Sequence, residues 1–186
     1  MDQEQLQALK TQAEESAKNY FRQGLNCAEC ALKSFLDLGL TDDSPEVVAM
    51  ASGFGGGIGL TRNTCGAVLG AAMAIGTLRG RRDPLAKETL QERIEELYGT
   101  DGIYQLYRRF VEEVEGKYGT IVCREMTAGY EWEGKPRKKN CQEIIRYAAG
   151  LAVKYALENT VPEGEVDSEK DCGKGGEVNG TDPARS

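Results

Sequence analysis

Histidine is absent from this chain of 186 residues. Its absence excludes catalysis by a Ser–His or Cys–His pair, the usual zinc enzyme sites and the attachment of c-type haem. The segment CAEC at 27–30 has the cysteine spacing of a haem attachment motif, but Ala31 follows it in place of the required histidine. No haem is therefore expected, and any chemistry must depend on other side chains.

Signatures of membrane insertion, nucleotide binding and nucleic-acid binding are also lacking. The apolar run at 67–78 is shorter than the about 20 residues that span a bilayer. The glycines at 53–59 match neither the dinucleotide fingerprint nor the phosphate-binding loop of nucleotide hydrolases. A formal net charge of −7, from 23 basic and 30 acidic residues, does not give the basic surface that nucleic acids require. Because the first residues are polar and resemble no signal peptide, we expect a cytoplasmic protein with neither membrane nor nucleic acid as a partner.

The alternation of apolar and polar residues that is typical of strands is missing, whereas apolar residues recur at helical spacing. The pattern predicts a compact all-α bundle of about six to seven helices with a Gly-rich loop, forming one domain over residues 1–160. Residues 161–186, with seven acidic and three basic side chains, predict a flexible, disordered tail. The predicted helices cover residues 3–22, 27–38, 65–78, 84–98, 103–118, 121–127 and 141–159, with a short one from Pro45.

Six cysteines remain as candidates for reactive or metal-binding side chains, and four of them lie beside signals for a helix start. The segments Asn26–Glu29 and Asn140–Glu143 each resemble a capping box that begins with asparagine and cysteine. Thr64 (or Asn63) and Thr120 could cap two further helices. These signals predict that the first turns of four helices carry Cys27, Cys65, Cys123 and Cys141.

Cysteines at helix N-termini have a distinct chemistry, because free backbone N–H groups and the helix dipole stabilise the thiolate. We therefore expect lowered pKa values at these four positions and a pocket suited to an anionic cluster. Glycines around the pocket would let the backbone come close to the sulfur atoms and donate N–H groups. The glycines in question are Gly55, Gly56, Gly57, Gly59 and Gly66. For each cysteine, burial as a small apolar side chain is the alternative interpretation.

Other residues allow two interpretations each. Cys30 could complete a dithiol pair with Cys27 or line the core, and Cys172 is interpreted as a loose thiol of the tail. Trp132 could cover a site or pack on the surface. Small residues around Gly70 favour close helix packing. Two basic clusters could dock an acidic partner or be solvated loops; they comprise Arg79, Arg81 and Arg82, and Lys135, Arg137, Lys138 and Lys139.

In combination, these motifs resemble the redox-active family named for its C, GCAxxG, C, C cysteine pattern. The resemblance rests on Asn26-Cys27-Ala28, Gly55–Gly59, Thr64–Ala67 with Gly70, Cys123-Arg124-Glu125 and Cys141, and it extends over about residues 15–157. Here the second motif reads Cys65-Gly66-Ala67, not Gly-Cys-Ala, and Cys30 and Cys172 are additional to the pattern. The resemblance implies a small helical protein of bacteria and archaea, many of them anaerobic. It also implies that the family cysteines are Cys27, Cys65, Cys123 and Cys141. A related domain occurs in split-Soret cytochromes, where it accompanies haem and iron–sulfur chemistry.

Three functions remain open from the sequence. The first is an electron-transfer or redox-sensing protein whose iron–sulfur cluster, or other metal, is ligated by Cys27, Cys65, Cys123 and Cys141. The second is a thiol–disulfide oxidoreductase that uses Cys27 and Cys30 as catalytic residues, with Cys65 or Cys141 as resolving partner. The third is a helical interaction module with structural cysteines. A redox partner protein and a homodimer are compatible with the first two functions, and no substrate is identifiable.

Overall fold

A computed structural model of the chain describes residues 1–158, and the part that it describes is helical, as the sequence predicts. Within residues 1–158, seven α-helices and one 3-10 helix follow one another. The 3-10 helix covers Pro45–Phe54 and lies between α2 and α3. The α-helices are α1 (Gln3–Arg22), α2 (Cys27–Leu36), α3 (Gly66–Arg79), α4 (Leu90–Tyr98), α5 (Ile103–Tyr118), α6 (Cys123–Met126) and α7 (Lys135–Leu157).

Helices α1, α2, α3 and α7 pack together as the centre of the bundle. Small side chains allow the close approach: Ala13 and Ala17 of α1 and Ala28 and Ala31 of α2 are fully buried. At Gly70 of α3, an added Cβ would lie 2.8 Å from both Cα and C of Ala28. Van der Waals contacts between carbon atoms are optimal at about 3.5–4.0 Å, so only glycine permits this crossing of α2 and α3.

Around this centre lies one hydrophobic core, to which the large buried side chains Phe35, Ile75, Phe110 and Ile145 contribute. Helix α4 differs from the others because it contains no buried residue. Three of its apolar side chains, Leu90, Ile94 and Tyr98, are exposed, and Leu90 keeps 67% of its accessible surface. The homodimer expected from the sequence stays a prediction.

Helices α3 and α6 begin one and two residues later than predicted, and two other helices begin six residues from their predicted starts. Helix α4 begins at Leu90 and not at Pro84, because the hydroxyl of Thr89 accepts the N–H of Glu92 while the Glu92 carboxylate accepts the N–H of Thr89. Helix α7 begins at Lys135 and not at Cys141. Proline in its first turn favours the earlier start, since proline presets the helical φ and needs no hydrogen-bond acceptor there.

The predicted acidic tail and Cys172 lie outside the described residues. Among residues 1–158, no helix has both the length and the apolar character needed to cross a membrane.

Candidate functional site

A cavity of about 390 Å³ lies where α2, the N-terminal ends of α3 and α6, the Gly-rich loop and α7 meet. Its wall is mainly apolar, and no carboxylate of the described residues belongs to it. The structure brings four of the predicted site residues into this wall: Cys27, Cys65, Cys123 and Cys141. All four are free thiols; Cys65 and Cys123 are buried, and Cys27 and Cys141 are half-buried.

The N-terminus of α2 holds Cys27 in place through the capping box that the sequence predicts. The side-chain oxygen of Asn26 accepts the N–H groups of Ala28 and Glu29 at 2.9 and 3.1 Å, and the Glu29 carboxylate accepts the N–H of Asn26 at 2.9 Å. Ser52 joins this box, since its hydroxyl donates to Glu29 at 2.6 Å and its carbonyl accepts from the Asn26 amide at 3.1 Å. The start of α2 is therefore tied to the end of the 3-10 helix, directly before the Gly-rich loop.

An isolated antiparallel β-bridge between Thr64 and Val122 brings Cys65 and Cys123 together. The N–H of Cys65 donates to Ile121 O at 2.8 Å, and the N–H of Cys123 donates to Asn63 O at 2.6 Å. Since each bridge residue directly precedes a cysteine, this one pairing of extended backbone positions both cysteines. The sequence predicts no strand pairing here, because a single bridge leaves no alternating pattern of apolar and polar residues.

Three of the predicted helix caps for cysteines are wrong. Val122, not Thr120, is the N-cap of α6, and no side chain caps that helix; the Thr120 hydroxyl accepts the N–H of Val122 at 3.0 Å. Cys65 is itself the N-cap of α3, with no side-chain hydrogen bond from Thr64 or Asn63 to the helix. Cys141 lies in the second turn of α7, because that helix begins at Lys135. Asn140 does not cap a helix; its side-chain amide donates to Met126 O at 3.0 Å and ties α7 to α6.

Cys30 is not part of the cavity wall. It is fully buried in the core, where its Sγ lies 3.6 Å from Leu25 O. The two thiols of the CxxC segment therefore have different surroundings, with Cys27 at the cavity and Cys30 beneath it.

The expectation that helix N-termini lower the thiol pKa is not met at Cys65, Cys123 and Cys141. Burial raises the pKa of Cys65 to about 12 and the pKa of Cys141 to about 11, and it also raises the pKa of Cys123. A negative charge on Cys27 raises the pKa of each of these three thiols further, which reflects how close the sulfur atoms lie. The N–H groups of Ala67 and Val68 at the start of α3 act in the opposite direction on the pKa of Cys65, but burial outweighs them.

The Gly-rich loop forms one side of the cavity through Gly53, Gly55, Gly56 and Gly59, while Gly57 and Gly66 lie behind the wall. A Cβ on Gly66 would lie 2.5 Å from Cys27 Sγ, so this glycine leaves the space that the sulfur occupies. The N–H of Gly59 donates to Gly53 O at 2.8 Å and is used within the loop. Donation from the other loop glycines into the cavity stays a prediction.

The loop also holds non-glycine residues in the left-handed backbone region: Ile58 at φ 64°, Leu60 at φ 66° and Arg62 at φ 62°. This conformation costs roughly 1–2 kcal/mol per residue for L-amino acids, and a branched side chain such as that of Ile58 is rare there. Strained backbone of this kind concentrates at functional sites. The strain directly precedes Asn63, which takes part in the pairing that positions Cys123.

Trp132 and Arg137 belong to the cavity wall, and Arg62 lies next to Trp132. The guanidinium of Arg137 lies 4.0 Å from the ring centroid of Trp132, and that of Arg62 lies 5.2 Å from it. Arg137 also donates from Nη1 towards Cys141 Sγ at 3.8 Å. The Nε of Arg62 is buried and has no hydrogen-bond partner in the described residues. The sequence alone leaves the role of Trp132 undecided; the structure places it in the cavity wall.

The four thiols surround the cavity and do not converge on one point. Within residues 1–158, no group of three or more cysteine or acidic side chains is arranged to hold a single metal ion. The wall offers sulfur donors, no carboxylate and a positive charge at Arg137. Thiolate sulfur is a ligand for soft metal ions and for iron–sulfur clusters.

Comparison with protein-family models matches residues 25–155, well over half of the chain, to the family described as "Putative redox-active protein (C_GCAxxG_C_C)". No match is found among curated proteins or among solved structures. The chain therefore belongs to this redox-active cysteine family, as the sequence motifs indicate.

Proposed function

We propose that this member of the redox-active family binds an iron–sulfur cluster in the cavity and serves in electron transfer or redox sensing. The ligands in this proposal are Cys27, Cys65, Cys123 and Cys141. The observation that carries it is that these four thiols, from four separate parts of the chain, line one cavity whose wall contains no carboxylate. Thiolate sulfur is the ligand that iron–sulfur clusters use, and a bound cluster would supply one-electron transfer.

The protein's own residues favour an anionic group in this position. The guanidinium groups of Arg62 and Arg137 lower the pKa of Cys123, although burial and the charge of Cys27 outweigh them. Neither arginine forms a salt bridge with a carboxylate of the described residues. These positive charges would offset part of the negative charge of four thiolates, and hydrogen bonds to sulfur are among the features that set a cluster potential.

A thiol–disulfide oxidoreductase is the second candidate, and the structure favours a different pair from the one predicted. Cys27 lies against the start of α3, since a Cβ on Gly66 would be 2.5 Å from Cys27 Sγ, whereas Cys30 is buried outside the cavity wall. In this candidate, Cys27 and Cys65 would form a disulfide and pass two electrons and two protons to a disulfide substrate.

Single Cys→Ser variants at the four proposed ligands test the proposal, with Cys30→Ser as the matched control. Each purified variant is reconstituted anaerobically with ferrous iron and sulfide, and its absorption is recorded from 300 to 700 nm. The fluorescence of Trp132 gives a second readout, because it is the only tryptophan and lines the cavity. We expect colour and quenching in the wild type and in Cys30→Ser, and a loss of both in the four ligand variants.

Two other outcomes would contradict the proposal. A wild type that stays colourless, combined with a reversible disulfide lost in Cys65→Ser, would favour the oxidoreductase. A colourless protein in which Cys65→Ser changes only the unfolding free energy would favour structural cysteines.

A further inference from the structure

Six cationic side chains, here named the basic rim, come from three separate segments around the cavity. Arg62 belongs to the Gly-rich loop and Arg124 to α6, while the other four lie in the first two turns of α7. Only Arg137 belongs to the cavity wall itself. The members of the basic rim are Arg62, Arg124, Lys135, Arg137, Lys138 and Lys139.

Contacts join these segments into one surface beside the cysteines. Arg124 donates to the Asn63 side chain at 2.6 Å and directly follows Cys123 in sequence. Arg62 donates to Thr127, another residue of the cavity wall, at 3.3 Å. Lys138 lies three residues before Cys141 in α7, and residues with this spacing share one side of a helix.

The charge of this surface is opposite to that of the protein. Arg124, Lys135, Lys138 and Lys139 are exposed and form no salt bridge with the described residues. Residues 121–142 and the Gly-rich loop together carry these six cations and three acidic side chains, Glu125, Glu131 and Glu133. This surface therefore has a local excess of three positive charges in a chain of net charge −7. Such a patch steers partners of opposite charge, since complementary potentials raise the rate and fix the orientation of encounter.

We infer that the basic rim docks the acidic face of a small electron-carrier protein of the ferredoxin type at the mouth of the cysteine cavity. Docking there would bring the redox centre of the carrier next to Trp132 and Arg137, which belong to the cavity wall and stack on each other. The inference rests on the proposed redox function. The rest of the protein has an excess of acidic charge and would repel such a carrier, so the rim also sets its orientation.

The field of the rim can be measured at the thiols without any cluster. In metal-free protein with Cys172→Ser, the half-buried thiols are titrated with the dianion 5,5′-dithiobis(2-nitrobenzoate) and with neutral 4,4′-dithiodipyridine. The rate with the dianion divided by the rate with the neutral reagent reports the electrostatic potential at the cavity. In Arg124→Glu/Lys138→Glu we expect this ratio to fall about fourfold at 0.1 M salt and to be unchanged at 1 M. The expected fall follows from the Coulomb energy between the dianion and the changed side chains at ~12 Å, screened with a Debye length of about 10 Å at 0.1 M salt.

A matched control carries the same charge change at exposed positions outside the cavity wall, Lys87→Glu/Arg108→Glu. We expect the control to keep the rate ratio of the wild type within about twofold. An equal fall of the rate ratio in both double variants, or no fall in either, would show that the basic rim creates no local positive potential at the cavity. Either result would overturn the proposed docking surface. Because this experiment uses metal-free protein, its outcome does not depend on whether the protein binds the proposed cluster.

The partner class is tested by calorimetric titration with an acidic ferredoxin at low and high salt. We expect binding by the wild type and by the control at low salt, loss of binding at high salt, and at least tenfold weaker binding by Arg124→Glu/Lys138→Glu. Failure of the wild type to bind, or equal binding by all three proteins, would overturn the assignment of an acidic carrier.

Discussion

The close crossing of α2 and α3 leads to a prediction at Gly70. An alanine Cβ there would lie 2.8 Å from Cα and C of Ala28, and nearer still to its carbonyl oxygen. Because these atoms belong to the backbone of α2, no side-chain rotation can relieve the overlap, and the two helices must separate by about 1 Å to reach the usual carbon–carbon distance. Overpacking of this kind costs typically about 1–3 kcal/mol.

Gly116 provides the matched control for this substitution. It lies exposed in α5, and a Cβ there would meet no atom within 4 Å. Gly116→Ala is expected to gain about 0.5–1 kcal/mol from helix propensity, because alanine restricts the unfolded chain more than glycine does. Gly70→Ala has the same intrinsic gain available and is still expected to be destabilised.

Urea unfolding followed by circular dichroism measures both variants against the wild type. We expect the unfolding free energies of the two variants to differ by about 2–4 kcal/mol, with Gly70→Ala the lower, which corresponds to roughly 5–15 °C in melting temperature. Equal unfolding free energies for Gly70→Ala and Gly116→Ala would contradict this prediction, since they would show that α2 and α3 do not cross as closely as described.

Two further predictions concern the site and the acid stability of the bundle. Gly66→Ala places a Cβ 2.5 Å from Cys27 Sγ and should lower the iron and sulfide bound per chain. The control variant Gly116→Ala should bind wild-type amounts. Burial raises the pKa of Glu113, but hydrogen bonds from Lys154 and Tyr155, each at 2.6 Å, outweigh it and leave the pKa below its ordinary value. The stability that this carboxylate contributes is thus present above its unfolded pKa of about 4.3 and is lost as the pH falls through the lower folded value. Glu113→Gln should be less stable than the wild type at pH 7 and lose less stability between pH 5 and 3 in urea unfolding; parallel pH profiles would contradict this.

The helices that the sequence predicts best are those with an apolar stripe and a clear cap. Helix α1 has its predicted bounds, and the α5 stripe begins at Ile103 as predicted. The start of α7 is missed because Asn140 to Glu143 resembles a capping box, while the stronger signal is the proline of the preceding basic segment. A local pattern is therefore least reliable where two possible starts lie within two turns of each other.

For the candidate site, the sequence identifies the cysteines but not how they come together. Four cysteines beside glycines and cap residues are visible in the sequence, and the structure places them in one cavity. The bridge between Thr64 and Val122 joins residues far apart in the chain and leaves no local pattern. The direction of the thiol pKa shifts also depends on tertiary structure, because burial outweighs the helix N-termini. Whether the four thiols bind metal stays a prediction.

The most direct test of the cluster proposal is the amount of iron and acid-labile sulfide in protein purified anaerobically from cells, without reconstitution. We expect iron and sulfide in equal amounts, at two or more atoms of each per chain, with both lost in Cys65→Ser and retained in Cys30→Ser. A wild-type protein that contains neither element, or a Cys65→Ser variant that keeps both, would contradict it.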